Sequence, residues 1–307
     1  MAGCAGLDTR LPEIDLPQLT AEQDIQQGLA FEEMVRLQGR LMRVADRVRV
    51  ANAELCPKVR PGIGAKTHTL KNYSKTLRVA AARELGAGDE PRILVVSEGS
   101  PAQAAGLERG DAVLVDGEAV AHDSEAFQAA IGSGRLSVRG LDSTVREVEI
   151  AAREECDYDV RLRMSPDINA FATGKTVIMT SGMMGFVESD EELALIVGHE
   201  LAHNTMGHIR KIVGNYILSL GGSRYARPFE SEADYVGLYY LVRAGYSAES
   251  VEEFWRRLAL VSPRSTARAK THPTSSERFL RIAAAREEIA EKEAAGVPLI
   301  PNFKAKS

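Results

Sequence analysis

Hydrophobic positions near the start of the chain recur every three or four residues. This spacing is typical of one face of an α-helix and predicts a first helix over residues 21–60, helical to about residue 55. Residues 1–20 contain Pro and Asp and predict an extended arm, whereas the Pro- and Gly-rich residues 57–75 predict a linker. The periodic positions are Leu29, Met34, Leu37, Leu41, Val44 and Val48.

Between residues 76 and 150 the hydrophobic runs are shorter and are separated by Gly, Asp and Pro. Short runs of this kind indicate β-strands joined by turns. This part of the chain is therefore predicted to be a separate, β-rich domain. Its predicted strands are residues 92–96, 112–115, 135–138 and 145–150, with one helix at residues 123–131.

One segment of the β-rich region, from Ser100 to Asp111, resembles the core signature of PDZ domains. The resemblance implies a domain that binds extended peptides, often C-termini, by adding them as a strand. The Leu-Gly-Ala-Gly segment at residues 85–88 would then be the carboxylate-binding loop, although it departs from the usual loop pattern. The alternative is a small regulatory or spacer barrel that binds no ligand.

The periodic run from Glu191 to Val213 predicts a helix that carries the sequence H-E-x-x-H. Residues four apart lie on one helix face, so His199 and His203 can both bind one metal ion. Glu200 lies next to them and can act as a general base, which is the arrangement of a zinc peptidase. The preceding apolar turn indicates burial, where His and Glu are costly unless they are satisfied. The alternative is a helix with surface histidines.

A catalytic zinc ion takes three protein ligands. The segment from residue 229 to residue 244 predicts a second helix, on which Glu230 and Asp234 share a face. We expect Glu230 to bind zinc and Asp234 to accept the N–H of a ligating histidine. Glu232 falls on another face and is expected to be solvated. The alternative for the pair is an ordinary acidic helix start.

These motifs, with Thr271-His272-Pro273, resemble peptidase family 48 of the metallopeptidases, the HtpX-like and BepA-like zinc peptidases of the gluzincin type. The segment at residues 167–182 looks like that family's edge strand and turn before the active-site helix. The resemblance covers residues 20–60 and 155–300. It implies an α+β fold, in which a mainly helical peptidase domain with a small edge-strand sheet, completed by residues 155–307, is interrupted by the PDZ-like domain at residues 76–150.

The resemblance also implies one Zn²⁺ per chain, bound by His199, His203 and Glu230. Glu200 would take a proton from the attacking water and pass it to the leaving amine. His272 would stabilise the oxyanion, or occupy the open position of the zinc as a latch. The alternative for His272 is an ordinary turn histidine.

Substrate is expected to bind extended beside the strand at residues 176–180, because backbone pairing suits unfolded or misassembled polypeptides. His208 follows the H-E-x-x-H motif by five positions and is predicted to face away from His203, with no ligand role. His68 and His122 are predicted to be surface residues. The residues assigned to the substrate strand are Asn169, Thr176, Val177, Ile178 and Met179.

The composition of the 307 residues, with 44% hydrophobic and 26% charged side chains, is ordinary for a soluble globular protein. The net charge of −5 argues against a nucleic-acid partner. No run approaches the roughly 20 apolar residues that a membrane helix needs, which departs from the many integral membrane members of the family. A membrane contact is therefore expected only through a lipid anchor.

The three cysteines carry two further predictions. Ala2-Gly3-Cys4 matches the end of a bacterial lipobox, so we expect Cys4 to be lipidated after removal of an upstream leader. The alternative is an incidental cysteine. Cys56 and Cys156 flank the predicted inserted domain, and a disulfide between them would tie its two ends together. Such a bond implies the periplasm, whereas two buried free thiols would suit the cytoplasm.

The sequence thus predicts a zinc endopeptidase for protein quality control in the bacterial envelope. Its partners would be polypeptide substrates and a peptide ligand of the PDZ-like domain. The alternative is a latent zinc-binding chaperone or PDZ adaptor without routine proteolysis.

Overall fold

The computed structural model describes residues 12, 14–211, 226–261 and 276–302. The helices are α1 (Leu16–Ala51), α2 (Arg78–Leu85), α3 (Pro101–Ala104), α4 (Glu125–Gly132), α5 (Ser181–Phe186), α6 (Asp190–Thr205), α7 (Ala226–Arg243), α8 (Val251–Val261) and α9 (Ser276–Ala294). The strands are β1 (Val59–Gly62), β2 (Ala65–His68), β3 (Arg92–Val96), β4 (Ala112–Val115), β5 (Glu118–Ala119), β6 (Arg135–Arg139), β7 (Val145–Glu149), β8 (Arg153–Cys156), β9 (Asp159–Arg163), β10 (Ala170–Ala172) and β11 (Thr176–Thr180).

The first helix begins earlier than its hydrophobic pattern predicts. The Asp15 side chain accepts a hydrogen bond from the Gln18 backbone N–H at 2.7 Å, which caps the helix at residue 15. Pro17 in the first turn suits a helix start because its missing N–H has no partner there in any case. The last residues of the predicted extended arm are therefore helical.

The β-rich unit is larger than predicted, because residues 57–75 are not a linker. They contain β1 and β2, and β2 pairs antiparallel with β3. The remaining strands form a sheet in the order β5-β4-β6-β7, against which α4 packs. The core of the unit is made of apolar side chains that include Ile93, Val113, Phe127, Leu136 and Val138.

The two ends of this inserted unit meet at its base. β1 pairs antiparallel with β8, with Val59 opposite Cys156. Cys56 and Cys156, the pair predicted from the sequence, form a disulfide, and their Cα atoms are 5.5 Å apart. A ladder and a covalent bond therefore fix the place where the chain leaves the peptidase-like part and returns to it.

The peptidase-like part packs α1 and the later helices around a three-stranded sheet in the order β10-β11-β9. β11 is antiparallel to β10 and parallel to β9. The predicted edge-strand segment at residues 167–182 therefore contains an edge strand, β10, and a central strand, β11. The expectation that substrate pairs with residues 176–180 is wrong, since β11 is paired on both sides. The error arose because β9, which covers one side of β11, was not predicted from the sequence.

Helices α6 and α7 form the centre of this part and pack very closely. A Cβ atom on Gly237 would lie 2.8 Å from the His199 backbone nitrogen, and one on Gly198 would lie 2.8 Å from the Gly237 carbonyl oxygen. Only glycine permits this approach of the two backbones. Among the described residues, no helix combines the length and apolar character that crossing a membrane requires.

Candidate metal centre

The close crossing of α6 and α7 brings three potential metal ligands together. The Nε2 atoms of His199 and His203 are 3.2 Å apart. Glu230 on α7 places its carboxylate oxygens 3.5 Å from His199 Nε2 and 3.4 Å from His203 Nε2. The three side chains are buried and offer one ligand atom each to a common point.

The chemistry and spacing of these donors fit zinc. Two imidazoles and one carboxylate are a usual ligand set for a catalytic zinc site. Donors bound tetrahedrally at zinc–nitrogen distances of 2.0–2.1 Å lie about 3.3 Å apart. The observed separations of 3.2–3.5 Å match this value, so the residues could hold the ion without rearrangement.

Asp234, one turn beyond Glu230, lies behind the first histidine. Its Oδ1 atom is 3.0 Å from His199 Nδ1, on the side of the ring away from Glu230. The same oxygen accepts a hydrogen bond from Arg278 of α9 at 2.5 Å. The Arg278 guanidinium stacks 3.5 Å above the ring of Trp255 of α8. Helices α8 and α9 therefore contribute to the support of His199.

The electrostatics of this group follow from burial and opposite charges. Burial alone would lower the pKa of His199, but hydrogen bonds to Asp234 and Glu230 outweigh it and raise this pKa to about 10 in the absence of a metal. Burial alone would raise the pKa of Asp234, but the positive charge of Arg278 lowers it. The net effect is a lowered pKa. Asp234 is thus a carboxylate near neutral pH and can accept the His199 N–H.

Two residues that the sequence appeared to exclude lie behind the second histidine. His208 is fully buried, and its Nδ1 atom is 3.0 Å from His203 Nδ1, so the prediction that it faces away is wrong. Its Nε2 atom is 2.7 Å from a carboxylate oxygen of Glu232, which is only partly exposed rather than solvated. Burial lowers the pKa of His208 to about 4.

The reason for this error is the end of α6. The helix was predicted to continue to Val213, where a residue five positions after His203 would face away. Instead α6 ends at Thr205, and Gly207 adopts a φ of +68°, a left-handed conformation that favours glycine. This turn carries His208 back over His203.

The remaining residues that the sequence analysis named differ in burial and in whether the structure describes them. Glu200 is buried in α6 beside His199. His272 and Cys4 lie outside the described residues. The prediction that His68 and His122 are surface residues is wrong, since His68 is buried and His122 is half-buried against Thr67.

The predicted substrate strand is mostly inaccessible. Val177 and Met179 are fully buried, and Thr176 and Ile178 are half-buried in the central β11. Asn169 precedes β10, and its carbonyl accepts the Thr180 backbone N–H at 3.1 Å. In the part of the chain that the structure describes, no strand pairs with the outer edge of β10.

Arg278 and Trp255 were missed by the sequence reasoning as contributors to the site. Arg278 lies six residues after His272, but no pattern of charge indicates that an arginine will be buried against a carboxylate on another helix. Trp255 packs 5.7 Å from His199, measured between ring centres. Its place in the amphipathic α8 predicts only that it faces the core.

Comparison with known protein families gives a match for the C-terminal half of the chain. Residues 139–221 and 212–287 match the sequence profile described as Peptidase family M48. The matched region includes α6, α7 and the N-terminal part of α9, and therefore all three potential ligands.

Individual relatives agree with this match. The chain is 22% identical over 165 residues to the mitochondrial metalloendopeptidase OMA1 of Schizosaccharomyces pombe, covering 45% of this chain and 49% of the relative. It is 28% identical over 152 residues to the metalloprotease LoiP of Escherichia coli, covering 40% and 60%. It is 23% identical over 127 residues to the beta-barrel assembly-enhancing protease of Yersinia pestis, covering 30% and 26%. The chain thus spans less than two thirds of the length of these relatives.

Proposed function

Because the chain belongs to peptidase family M48, we propose that it is a zinc-dependent endopeptidase that cleaves unfolded or misassembled polypeptides in the bacterial envelope. The family match and the metalloendopeptidase names of its relatives support this class of enzyme. The observation that carries the proposal is the buried group of His199, His203 and Glu230, with donor separations that suit one zinc ion.

In this proposal His199 and His203 bind the metal through Nε2, and Glu230 binds it through its carboxylate. A zinc ion held by these three residues would supply Lewis acidity, which would polarise the scissile carbonyl and lower the pKa of the attacking water. Asp234 accepts the Nδ1–H of His199 and so fixes the tautomer that leaves Nε2 free to bind. Arg278 donates a hydrogen bond to the same carboxylate oxygen and so helps to hold Asp234 in place.

Glu200 is the proposed general base. It follows His199 directly in α6 and is buried in the same helix segment as both histidines. Its carboxylate takes the proton from the attacking water and gives it to the leaving amine. His272 stays a prediction for oxyanion stabilisation.

The proposed substrate-binding site is the outer edge of strand β10. β11 cannot accept an added strand, since both of its edges already pair with strands of this chain. A substrate that pairs with residues 170–172 through backbone hydrogen bonds would be recognised with little dependence on sequence. This recognition suits unfolded polypeptides, and Asn169 at the start of β10 would lie beside them.

An envelope location is supported by two observations. Two of the relatives above are bacterial, and one is named as a protease that enhances beta-barrel assembly. The Cys56–Cys156 disulfide suits an oxidising compartment such as the periplasm. Lipidation of Cys4 stays a prediction.

The β-rich unit is proposed to gate the access of substrate to the peptidase-like part. Its proposed ligand site is a PDZ-like groove between β2 and α4. Thr67 of β2 and His122, near the start of α4, already contact each other across this groove. The turn from the last residue of β1 to β2, residues 62–64, replaces residues 85–88 as the proposed carboxylate-binding loop, because the latter lie at the end of α2. Glu155 of β8 covers this loop: a Cβ on Gly62 would clash with its carboxylate.

Charged groups from the peptidase-like part close the remaining space of the groove. The cavity there measures only about 40 Å³ and is lined by Asp46, Arg49 and Asp159 as well as by residues of the unit. Lys66 of β2 donates a hydrogen bond to the Val160 carbonyl at 2.9 Å. A peptide ligand would therefore have to displace these contacts, which supports a role of the unit in gating.

Cleavage of an unfolded polypeptide tests the proposal. The zinc-loaded protein is expected to cleave a reduced, unfolded model substrate, and Glu200→Gln is expected to bind the same amount of zinc and to lose at least 10²-fold in rate. Zinc binding without cleavage by the intact protein would instead favour the latent chaperone or adaptor. Glu191→Gln, in the first turn of the same helix, is the matched control and should keep full activity.

A further inference from the structure

Behind His203 the structure holds a hydrogen-bonded chain of three side chains. His203 Nδ1 is 3.0 Å from His208 Nδ1, and His208 Nε2 is 2.7 Å from Glu232 Oε2. The middle residue is fully buried and stacks on Phe229, with 4.8 Å between the ring centres. Both of its ring nitrogens are therefore occupied by one specific partner each.

One assignment of protons satisfies every contact in this chain. If His203 binds a metal through Nε2, its Nδ1 carries the proton and is a donor. His208 Nδ1 must then accept that hydrogen bond, which places the proton of His208 on Nε2. That proton points at the Glu232 carboxylate, an acceptor. Moving the proton of His208 to Nδ1 would place two donors against each other at the contact with His203 and two acceptors against each other at the contact with Glu232.

We propose that His208 and Glu232 form a positioning pair for His203, in which Glu232 fixes the tautomer of His208 and His208 fixes the tautomer and orientation of His203. The proposal rests on the metal-ligand role of His203 that is proposed above. It makes the two histidine ligands alike: Asp234 supports His199 directly, and Glu232 supports His203 through one intervening imidazole.

The pair depends on two local features of the fold. The left-handed Gly207 turns the chain after α6 so that His208 packs edge-on against His203, with 5.0 Å between the ring centres. Glu232 lies two residues after Glu230 on α7, so its side chain leaves the helix on a different face and reaches His208 rather than the metal. Ligand and support thus come from the same turn of α7 but point in different directions.

Hydrogen-bond partners of metal-ligating histidines typically contribute 10–100-fold to metal affinity. We therefore expect Glu232→Ala to weaken zinc binding by about 10-fold or more, measured by competition with a chromophoric chelator. Glu232→Gln keeps an acceptor oxygen but loses the charge, and should fall between Glu232→Ala and the wild type. The matched control is Glu277→Ala, whose exposed carboxylate pairs only with Arg281 among the contacts of the described residues, and it should bind zinc like the wild type.

A second measurement needs no variant. In the zinc-loaded wild-type protein with ¹⁵N-labelled histidine, long-range ¹H–¹⁵N correlation spectra report which ring nitrogen of each imidazole carries a proton. The expected result is His203 protonated at Nδ1 and His208 protonated at Nε2. A positively charged His208, or the proton of His208 on Nδ1, would overturn the proposal whatever the stability of the variants.

Failure of this inference is distinguishable from failure of the proposed function. If the wild type bound no zinc, the metal site itself would be wrong. If the wild type bound zinc tightly and Glu232→Ala bound it equally tightly, only the positioning pair would be refuted.

Discussion

At the scale of single residues, Asp234 contacts two side chains through one carboxylate oxygen, the ring of His199 and the guanidinium of Arg278. Asp234→Asn keeps an oxygen that can accept the His199 N–H but removes the charge that balances the buried arginine. We expect zinc affinity to fall 10–100-fold and the protein to become less stable. Chelator competition and urea unfolding check the two effects. Unchanged zinc affinity would show that Asp234 has no part in holding His199.

His122 gives a prediction on pH. Burial, with the positive charge of Lys66, lowers the pKa of His122 to about 4 in the folded protein, against about 6.5 in the unfolded chain. The unfolded state therefore binds more protons between these values. This contribution to stability is complete above pH 6.5 and is lost as the pH falls toward 4, with about 2 kcal/mol lost at pH 5.

The His122 prediction is measured by urea unfolding of the wild type and His122→Asn at pH 7 and pH 5. In the wild type Thr67 donates its backbone N–H to the neutral ring. Asn offers an acceptor that does not titrate, so the variant should lose less stability on acidification. Equal losses in both proteins would exclude His122 as a source of the pH dependence.

At the scale of elements, the crossing of α6 and α7 sets the position of Glu230 relative to the two histidines. Gly237→Ala would place a Cβ 2.8 Å from the His199 backbone nitrogen and force the helices apart. We expect a loss of about 1–3 kcal/mol in stability and weaker zinc binding. Gly185→Ala in α5 is the control, because its Cβ would meet no atom within 4 Å. If the two variants behaved alike, the close crossing would not matter to the site.

The elements also show what sequence reasoning could and could not reach. Local patterns predicted β3 and β4 at their observed bounds, and the metal-site triad came from spacing within α6 and α7. β1 was missed because its partner β8 lies about a hundred residues later in the chain, and β2 was mistaken for linker. The support of His203 was missed because it depends on how one glycine turns the chain after a helix.

At the scale of the whole molecule, the inserted unit is held to the peptidase-like part by the disulfide and the β1–β8 ladder. The disulfide closes a loop with a sequence separation of 100, for which the chain-entropy model gives about 4.7 kcal/mol. The double variant Cys56→Ser/Cys156→Ser should therefore unfold at clearly lower urea concentration than the oxidised wild type. Reduction of the wild type with dithiothreitol should lower its midpoint similarly. An unchanged urea midpoint in both cases would show that the disulfide does not stabilise the protein.

The proposed activity requires one zinc ion bound by two histidines and one glutamate. X-ray absorption at the zinc edge of the loaded, full-length protein measures the bound atoms directly. We expect one zinc per chain with nitrogen and oxygen neighbours at about 2.0–2.2 Å, including two imidazoles, and we expect His203→Ala to lose this signature. Sulfur neighbours at about 2.3 Å, or the same spectrum in the His203→Ala protein, would contradict this expectation.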